Sequence, residues 1–340
     1  VVIPARNEEE NVEAAVRSHL GQDYPGLQVV AVDDRSTDRT PEILAKLARE
    51  DPRLVVLPGA DPPEGWLGKP HALWTGAQAA VGEVLLFADA DVRYDRRALR
   101  EAVFLLEARG LDLVAFFPKF EMRGFWENVL LPYLGVTVFL GLGFFAASRR
   151  FRGLALGAGA GNLVRRAAYD AVGGHRALKN SVVDDIRLAT AVKRAGFHVA
   201  AFRAEDRVTV RIYRGFRGVW DGFTKNVAWA FGGPWGAVLF PLVLFALAVW
   251  IVPAATLISA ALGANVPPAD VRLAALIFAG TVVLRGGLAG ALRDPLWPVP
   301  THPIMAAVWA GLIGRSLIHR FVRKRLTWRG REYDARRARF

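Results

Sequence analysis

Asp89 and Asp91 are the residues whose type and spacing point most directly to chemistry. They follow an apolar stretch, residues 84–88, that is typical of a strand buried on both faces of a parallel sheet. In an extended chain both carboxylates would face one point while Ala90 turns away. Carboxylate oxygens suit Mg2+ or Mn2+, which complete their shells with water and phosphate. The pattern predicts a divalent-metal site, and an ordinary acidic turn after a strand is the alternative.

The elements that must position these acids alternate between strand and helix. Strands are predicted at residues 1–4, 27–32, 54–57 and 84–88, with helices between them. This order is typical of βαβ units, and so of an α/β fold with a right-handed, mostly parallel sheet. Ligands bind beyond the carboxyl ends of such strands, where Asp34 joins Asp89 and Asp91. We therefore expect one ligand site at this edge of the sheet.

Other polar residues lie near predicted helix starts. Asn7 follows the first strand and is expected to cap the next helix. Lys69 follows a turn marked by Gly and Pro and could reach a phosphate, with a solvated surface lysine as the alternative. Asp184 and Asp185 precede a helical pattern over residues 186–195, for which Asp184 is the expected N-cap.

Composition divides the chain into two parts. Hydrophobic residues make up 53% of it and concentrate between residues 235 and 292, where charge almost vanishes. The net charge is +12, and much of it lies in residues 315–340. A basic tail beside apolar segments suits anionic lipid headgroups, and no nucleic-acid-binding motif accompanies it, so nucleic acid is not an expected partner. The lack of cysteine excludes disulfides and thiolate metal sites.

Three apolar stretches near the C-terminus predict membrane helices. Residues 235–262 and 271–292 are each long enough to span a bilayer, whereas residues 303–318 form a short stretch that holds Arg315. Arg285, inside the second stretch, is expected near an interface because charge is costly at the bilayer centre. The positive-inside rule places the basic tail in the cytoplasm. With a cytoplasmic catalytic domain, two spans plus an interfacial or re-entrant third segment are expected.

Several motifs together resemble those of a known family. They are Ile-Pro-Ala-Arg-Asn-Glu at residues 3–8, Val-Asp-Asp-Arg-Ser-Thr-Asp at residues 32–38, Gly68-Lys69, Asp89-Ala90-Asp91, Gly173-Gly174-His175, and Asp-Asp-Ile-Arg-Leu at residues 184–188. Their order and spacing resemble those of family 2 glycosyltransferases over about residues 1–220, which implies the GT-A fold. Residues 65–69 and 328–333 carry a narrower resemblance to membrane enzymes that glycosylate lipids, of the hopanoid-associated, carotenoid and ceramide glucosyltransferase type.

The resemblance implies roles for individual residues of this sequence. The implied nucleotide-sugar ligands are Pro4, Arg6, Glu8, Asp34 (to the uracil ring), Lys69, Asp89 and Arg217. Asp91, helped by Asp89, is implied to hold Mg2+ or Mn2+ on the diphosphate, and Asp185 is the implied general base. Arg217 lies where the family has Gln-x-x-Arg-Trp, but here Arg214 replaces Gln and Trp220 is displaced. Processive polymer synthesis is therefore not expected.

The resemblance also implies an activity and a domain organisation. The implied reaction is inverting transfer of a sugar, glucose from UDP-glucose, to a hydroxyl of a membrane lipid (sterol-like, carotenoid, hopanoid or ceramide-like) at the inner face of the cell membrane. Two alternatives stay open: transfer to a polyprenyl phosphate, which needs no base, and a nonenzymatic membrane-anchored nucleotide-sugar binder. The expected parts are a catalytic domain at residues 1–212, an interfacial helix at 213–232, membrane helices at 233–320 and a basic tail at 321–340.

Two stretches within this organisation could contact the membrane without crossing it. Residues 129–147 are as long as a span, but one crossing would separate Asp91 from Asp185, so a buried, interfacial or re-entrant helix is predicted. Residues 214–231 repeat apolar side chains at helical spacing, which is typical of a headgroup-layer helix or of an ordinary packed helix. The chain opens on a strand at Val1, so we expect it to begin inside a longer protein.

Overall fold

The computed structural model describes residues 1–133, 153–230, 236–319, 322, 325–328 and 331–334. These residues fall into two compact units. The first includes residues 1–121 and 153–212, and the second includes residues 122–133 and the described residues of 213–327. The strands described before residue 213 all belong to the first unit.

A mixed, mostly parallel sheet forms the centre of the first unit. The described strands are β1 (Val2–Ala5), β2 (Val29–Asp33), β3 (Leu54–Pro58), β4 (Val84–Phe87), β5 (Val92–Tyr94), β6 (Leu113–Phe117), β7 (Lys119–Phe120), β8 (Asn162–Arg165), β9 (Val199–Arg203) and β10 (Val208–Val210). Seven of them lie in the order β3-β2-β1-β4-β8-β6-β9, and β5, β10 and β7 form a smaller sheet. Only β8 runs antiparallel to its neighbours in the large sheet. The α/β prediction is confirmed.

Helices pack on this sheet and fix the site residues in place. Those of the first unit are α1 (Val12–Leu20), α2 (Thr40–Glu50), α3 (Gly68–Ala79), α4 (Ala98–Ala108), α6 (Arg166–Ala171), α7 (Gly174–Ala177) and α8 (Asp184–Arg194), while α5 (Phe125–Leu130) belongs to the second unit. A Cβ at Gly76 of α3 would lie 2.5 Å from Cγ1 of Val2 on β1. Glycine therefore lets α3 lie close against the sheet.

Two capping predictions are wrong. The first helix begins at Val12, and Asn7 instead has a left-handed backbone with φ of 51°, a conformation that Asn tolerates better than most residues. Asp184 is the first residue of α8, behind an N-cap at Val183. Both acids of the pair therefore lie in the first turn of α8, where the helix dipole favours negative charge.

The second unit consists mainly of long helices. They are α9 (Gly215–Ala230), α10 (Gly236–Ala261), α11 (Pro268–Leu292) and α12 (His302–Ile318), with a short 3-10 turn at Val299–Thr301. Val219 and Phe223 of α9 are buried, and the Phe223 ring lies 5.0 Å from that of Trp309 on α12. Part of the apolar stripe of α9 is thus covered by protein, and its location in a headgroup layer stays a prediction.

One helix of the described residues, α11, is long and apolar enough to cross a membrane. In α10 the segment Ala248–Ala261 is a shorter apolar helix, and α12 has 17 residues. A multi-pass arrangement therefore stays a prediction. Of the predicted helix at 129–147, residues 134–147 lie outside the described part of the chain. Near the C-terminus, the described strands β11 (Arg325–Trp328) and β12 (Arg331–Asp334) form a two-stranded sheet.

Candidate active site

Lys69 lies within a cluster of acids in the first unit. Its Nζ lies 2.7 Å from Oδ1 of Asp89, which follows β4, and 3.7 Å from Oδ1 of Asp184 on α8. Lys69 occupies the first turn of α3, which begins at Gly68. The ammonium is therefore held by the helix and directed at the acids rather than solvated on a loop.

The charges of this cluster act strongly on one another. Burial alone lowers the pKa of Lys69, but the negative charges of Asp184, Asp89 and Asp185 outweigh it and raise this pKa. Burial raises the pKa of Asp184, against the opposing effect of Lys69. Burial also raises the pKa of Asp185, while Lys69 and hydrogen bonds from the amides of Ile186 and Gly159 lower it. One ammonium thus faces three carboxylates, and the cluster has spare negative charge.

A glycine-rich loop before β8, which sequence reasoning missed, joins Asp89 to Asp185. The Asp89 amide donates to the carbonyl of Gly159 at 2.9 Å, and the Gly159 amide bonds the Asp185 carboxylate. The Asn162 side chain, 2% exposed, donates from Nδ2 to the Asp185 carbonyl at 3.1 Å and accepts from the Ala158 amide at 3.2 Å. This loop holds the two acids in a fixed relation.

The glycines of this loop are needed because the acids approach so closely. A Cβ at Gly159 would lie 2.4 Å from Oδ2 of Asp89, and one at Gly157 would lie 2.0 Å from the Asp185 carbonyl oxygen. No other residue type fits without displacement. The signal in the sequence is the alternation Gly-Ala-Gly-Ala-Gly at residues 157–161 before the amide side chain of Asn162.

A second group of predicted residues surrounds Asp34. Asp34 is 3% exposed, and its amide donates to the carbonyl of Ala5 at 2.7 Å. Arg6 donates from Nη1 to the carbonyl oxygens of Asp34 at 2.5 Å and of Arg35 at 3.0 Å. Arg35 in turn lies 3.4 Å from Asp34 Oδ1. The loops after β1 and β2 are thereby locked together around the Asp34 backbone.

The same two loops are joined again further along. The Glu8 amide donates to Thr40 Oγ1 at 2.8 Å, and Asn7 Oδ1 accepts from the Thr37 amide at 2.8 Å. Pro4 lies within β1, opposite Val32 of β2, and is half-buried. Pro4 of β1 therefore lies close to Arg6, Glu8 and Asp34, which are in the loops that follow β1 and β2.

A group of three aromatic rings near Asp34 was not identified from the sequence. The ring of Trp66 lies 5.4 Å from that of His71 and 5.6 Å from that of Trp74, and the His71 and Trp74 rings stack at 6.3 Å. All three side chains are half-buried. Burial lowers the pKa of His71, and the charge of Asp34 raises it, which places this ring close to the acid. Half-buried aromatic rings of this kind can stack on other rings.

The chain turns at Ala90 and Asp91 instead of continuing as a strand, so the expected extended backbone is wrong there, although Ala90 is buried between two partly exposed acids as expected. The described residues hold no group of three or more His, Cys, Asp or Glu side chains placed for a metal ion. Asp89 and Asp91 are nevertheless partly exposed carboxylates, and Mg2+ and Mn2+ accept one or two of these with water and phosphate. Together with the surplus negative charge, this donor set fits a divalent ion.

The structure thus places the predicted residues in three locations. The first is the cluster of Lys69, Asp89, Asp184 and Asp185, and the second is the group around Asp34. Both belong to the first unit, and β1, β2 and β4 present their carboxyl ends at one edge of its sheet. Arg217 lies exposed on α9 in the second unit, so its role as a diphosphate ligand stays a prediction.

This arrangement places a carboxylate that can accept a proton beside an ammonium at a helix start. A carboxylate such as Asp185, with its pKa raised by burial, is a better proton acceptor than a solvated one. Lys69 offers an ammonium at a helix start, where phosphate groups are favoured. The geometry therefore suits transfer of a group away from a phosphate leaving group.

Comparisons with known proteins agree with this chemistry. Two curated relatives are 4,4'-diaponeurosporenoate glycosyltransferases. The one from Staphylococcus haemolyticus is 27% identical over 231 residues, covering 67% of this chain and 60% of the relative. The one from Staphylococcus aureus is 27% identical over 254 residues, covering 74% and 65%. The chain thus spans less than two thirds of the length of either relative.

A solved structure shows the same fold. It is a mannosyltransferase from Pyrobaculum calidifontis in complex with GDP-Man and Mn2+, with a TM-score of 0.58 and 23% identity, covering 94% of this chain and 86% of that one. The GT-A-like fold expected from the sequence is therefore confirmed. The profile described as Glycosyl transferase family 2 matches residues 1–173, half of the chain. This chain belongs to glycosyl transferase family 2.

Proposed function

We propose that this protein transfers a sugar, glucose from UDP-glucose, to a hydroxyl group of a membrane lipid with inversion at the anomeric carbon. The observation that carries the proposal is the placement of Asp185 in one cluster with Lys69 and Asp89. Asp185 takes the proton of the acceptor hydroxyl while the hydroxyl oxygen attacks the anomeric carbon. The bond between the anomeric carbon and the diphosphate breaks in the same step. A positioned base contributes about 10²- to 10⁴-fold in rate.

The other residues of the site bind and orient the donor. Asp34 accepts an N–H of the uracil ring, and Pro4, Arg6 and Glu8 shape the pocket around it. Lys69 stabilises negative charge on the phosphates, since it lies at the start of α3. Asp89 and Asp91 would hold Mg2+ or Mn2+, which supplies Lewis-acid stabilisation of the leaving diphosphate when bound. Gly159 and Asn162 keep Asp89 and Asp185 at a fixed separation.

A lipid acceptor is supported by two features. The relatives are named for a carotenoid-like compound, and α11 is long and apolar enough to enter a bilayer. We propose a multi-pass protein of the inner membrane with its catalytic unit in the cytoplasm. The basic residues of the tail favour this orientation.

The names of the relatives favour a second acceptor class. Diaponeurosporenoate is a carboxylate, so its glycosylation starts from an oxygen that is already ionised. A polyprenyl phosphate belongs to the same class. Such acceptors need no general base, whereas a lipid alcohol does.

The test measures UDP release by the full chain in membranes, given UDP-glucose and one acceptor at a time: a lipid alcohol, a carotenoid carboxylate or a polyprenyl phosphate. With the alcohol, Asp185→Asn should lose about 10²- to 10⁴-fold in turnover while UDP affinity stays. Asp170→Asn, on the exposed side of α6, is the matched control. If the Asp185→Asn variant keeps its turnover with the alcohol, Asp185 is not the general base.

Two further outcomes separate the remaining alternatives. If Asp185→Asn keeps its rate with the carboxylate or the phosphate and these are the better acceptors, the ionised class is the physiological one. If UDP-glucose binds but no acceptor triggers UDP release by the wild type, the protein is a binder rather than an enzyme.

Asp91→Ala should weaken Mn2+-dependent UDP binding, and an unchanged metal dependence would count against that site.

A further inference from the structure

Arg285 is a buried cation in the second unit that the proposed reaction does not use. It lies on α11 and is 3% exposed. A guanidinium carries five N–H donors and stays charged in proteins. In the described part of the chain, its Nε and Nη1 are buried without any hydrogen-bond partner. These two nitrogens carry three of the five donors, so most of this group's bonding capacity is unmet.

The nearest carboxylate does not meet that need. Asp294 Oδ2 lies 3.8 Å from Nη2, which is an ion-pair distance but too long for a hydrogen bond. Leaving donors of a buried charge unsatisfied is costly, and charged residues inside apolar helices commonly mark binding sites. Between residues 273 and 292, Arg285 is the only charged residue. A bound anion would offset the cost by accepting the unused donors.

The surroundings of Arg285 suit a ligand with an acidic head and an apolar body. His302, 5% exposed, interacts electrostatically with Arg285, and its ring lies 4.2 Å from that of Trp250. Val283 and Leu284 are exposed apolar side chains on the outward faces of α11, away from the buried side that holds Ala274, Arg285 and Ala289. They offer a surface to a hydrocarbon chain but nothing to a free ion.

The depth of Arg285 along the helix fits a headgroup. It lies seven residues before Leu292, the end of α11, which is about 10 Å at 1.5 Å per residue. Among the described residues, a Cβ at Gly286 or Gly290 would meet no atom within 4 Å, so space is open on the helix faces that carry these two glycines. A long Arg side chain can reach toward the headgroup layer from this depth if α11 spans a bilayer.

We propose that Arg285 binds the acidic headgroup, a phosphate or a carboxylate, of an amphiphile whose apolar chain lies along α11. The guanidinium donates its unused N–H groups to the headgroup oxygens. This site is separate from the acid cluster of the first unit, and binding to it requires neither donor sugar nor transfer. A test of this binding site is therefore independent of a test of the proposed function.

The test is native mass spectrometry of the full chain in neutral detergent, with dioleoyl phosphatidate, oleate or dioleoyl phosphatidylcholine added. The wild type should retain phosphatidate and oleate in preference to phosphatidylcholine. Arg285→Met, which keeps an apolar stem, should lower retention of both about 10-fold or more, because it removes charge-assisted hydrogen bonds. Arg272→Met is the matched control, since Arg272 is an exposed arginine on the same helix, and it should change nothing.

Two further variants keep the test decisive if Arg285→Met fails to fold. Arg285→Lys keeps the charge but loses the planar fork, and should bind phosphatidate more weakly than the wild type. Asp294→Asn removes the nearby negative charge and should strengthen retention of phosphatidate. Equal retention of all three lipids by the wild type, or weaker retention by Asp294→Asn, would overturn the proposal. Displacement of phosphatidate by millimolar inorganic phosphate would indicate a site for free anions. This result would overturn the proposal that the ligand is an amphiphile.

Discussion

Lys69 in the first unit and Arg285 in the second are both cations held largely away from water, yet their surroundings are opposite. Lys69 lies 2.7 Å from Asp89 and 3.7 Å from Asp184 and also interacts with Asp185. Arg285 has one carboxylate at 3.8 Å, and two of its buried nitrogens find no acceptor among the described residues. Negative charge is in excess around Lys69, whereas hydrogen-bond donors are in excess around Arg285.

The difference shows what each region can accept. An acid cluster with one resident ammonium has oxygen donors to spare and suits an added cation, such as a metal ion on a diphosphate. A guanidinium without acceptors suits an added anion. The stability of each region without its ligand should therefore respond in opposite ways when the cation is removed.

The largest effect is expected for Lys69→Met. Removing the ammonium leaves Asp89, Asp184 and Asp185 close together without compensation, and breaking a buried pair typically costs 3–5 kcal/mol. Lys69 is 22% exposed at its side chain, so we expect about 3 kcal/mol of destabilisation, at the low end of that range. Denaturant unfolding measures it, with Lys179→Met, an exposed lysine of the same unit, as control. Equal stability of the two variants would mean that the cluster does not depend on its ammonium.

Gly159→Ala tests how rigidly the acids of the cluster are held. The added Cβ would lie 2.4 Å from Asp89 Oδ2, so this carboxylate must rotate away from Lys69. Overpacking of this kind costs about 1–3 kcal/mol. If that cost falls on the transition state, turnover drops about 10- to 100-fold. Steady-state kinetics measure it, and Gly82→Ala, outside the site, should leave the rate unchanged; a normal rate for Gly159→Ala would show that Asp89 can shift freely.

The pKa of His175, in the first unit, depends on the charge of Lys69. Burial, together with the charge of Lys69, lowers the pKa of His175 from 6.5 to about 3. Between these values the unfolded chain takes up a proton that the folded ring refuses, so stability falls as pH drops from 6.5. The loss approaches about 1.4 kcal/mol per pH unit for each such group.

His175→Gln should therefore reduce the acid sensitivity of the fold. Unfolding free energies at pH 7, 6 and 5 should fall less steeply for this variant than for the wild type. Some slope should remain, because His19 is also buried and its pKa is lowered to about 3. His198→Gln, at an exposed position, should keep the wild-type slope. Identical slopes for the wild type and His175→Gln would show that this ring can take up a proton within the fold.

Much of the first unit could be predicted from the sequence because its signals are local. Apolar strands end in acids, and so Asp34 and Asp89 were expected at the carboxyl edge of the sheet. The loop that joins Asp89 to Asp185 could not be predicted, because the Gly159 carbonyl meets an amide 70 residues earlier in the chain. Contacts of that length are set by the packing of β4 against β8, which no local pattern encodes.

Local reasoning also failed where the backbone leaves regular structure. Asp91 lies in a turn and Asn7 has a positive φ, so the rules for strands and helix caps did not apply to them. In the second unit, the cost of a charge in an apolar helix predicted that Arg285 would lie near an interface. That rule could not reveal that two of its nitrogens are buried without acceptors among the described residues, since this depends on tertiary packing.

Arg285→Met gives the smallest expected change in stability, and its sign completes the comparison with Lys69→Met. Among the described residues, the substitution removes three donors without acceptors and a charge whose ion-pair partner lies 3.8 Å away, so little stabilisation is lost. We expect the unfolding free energy in lipid-free detergent to stay the same or to rise by about 1 kcal/mol, because an apolar side chain replaces an unsatisfied polar one. Added phosphatidate should reverse this order, since it stabilises only the form that binds it. Thermal unfolding with and without phosphatidate measures both effects, and a large destabilisation of Arg285→Met in lipid-free detergent would show that the pair with Asp294 is structural.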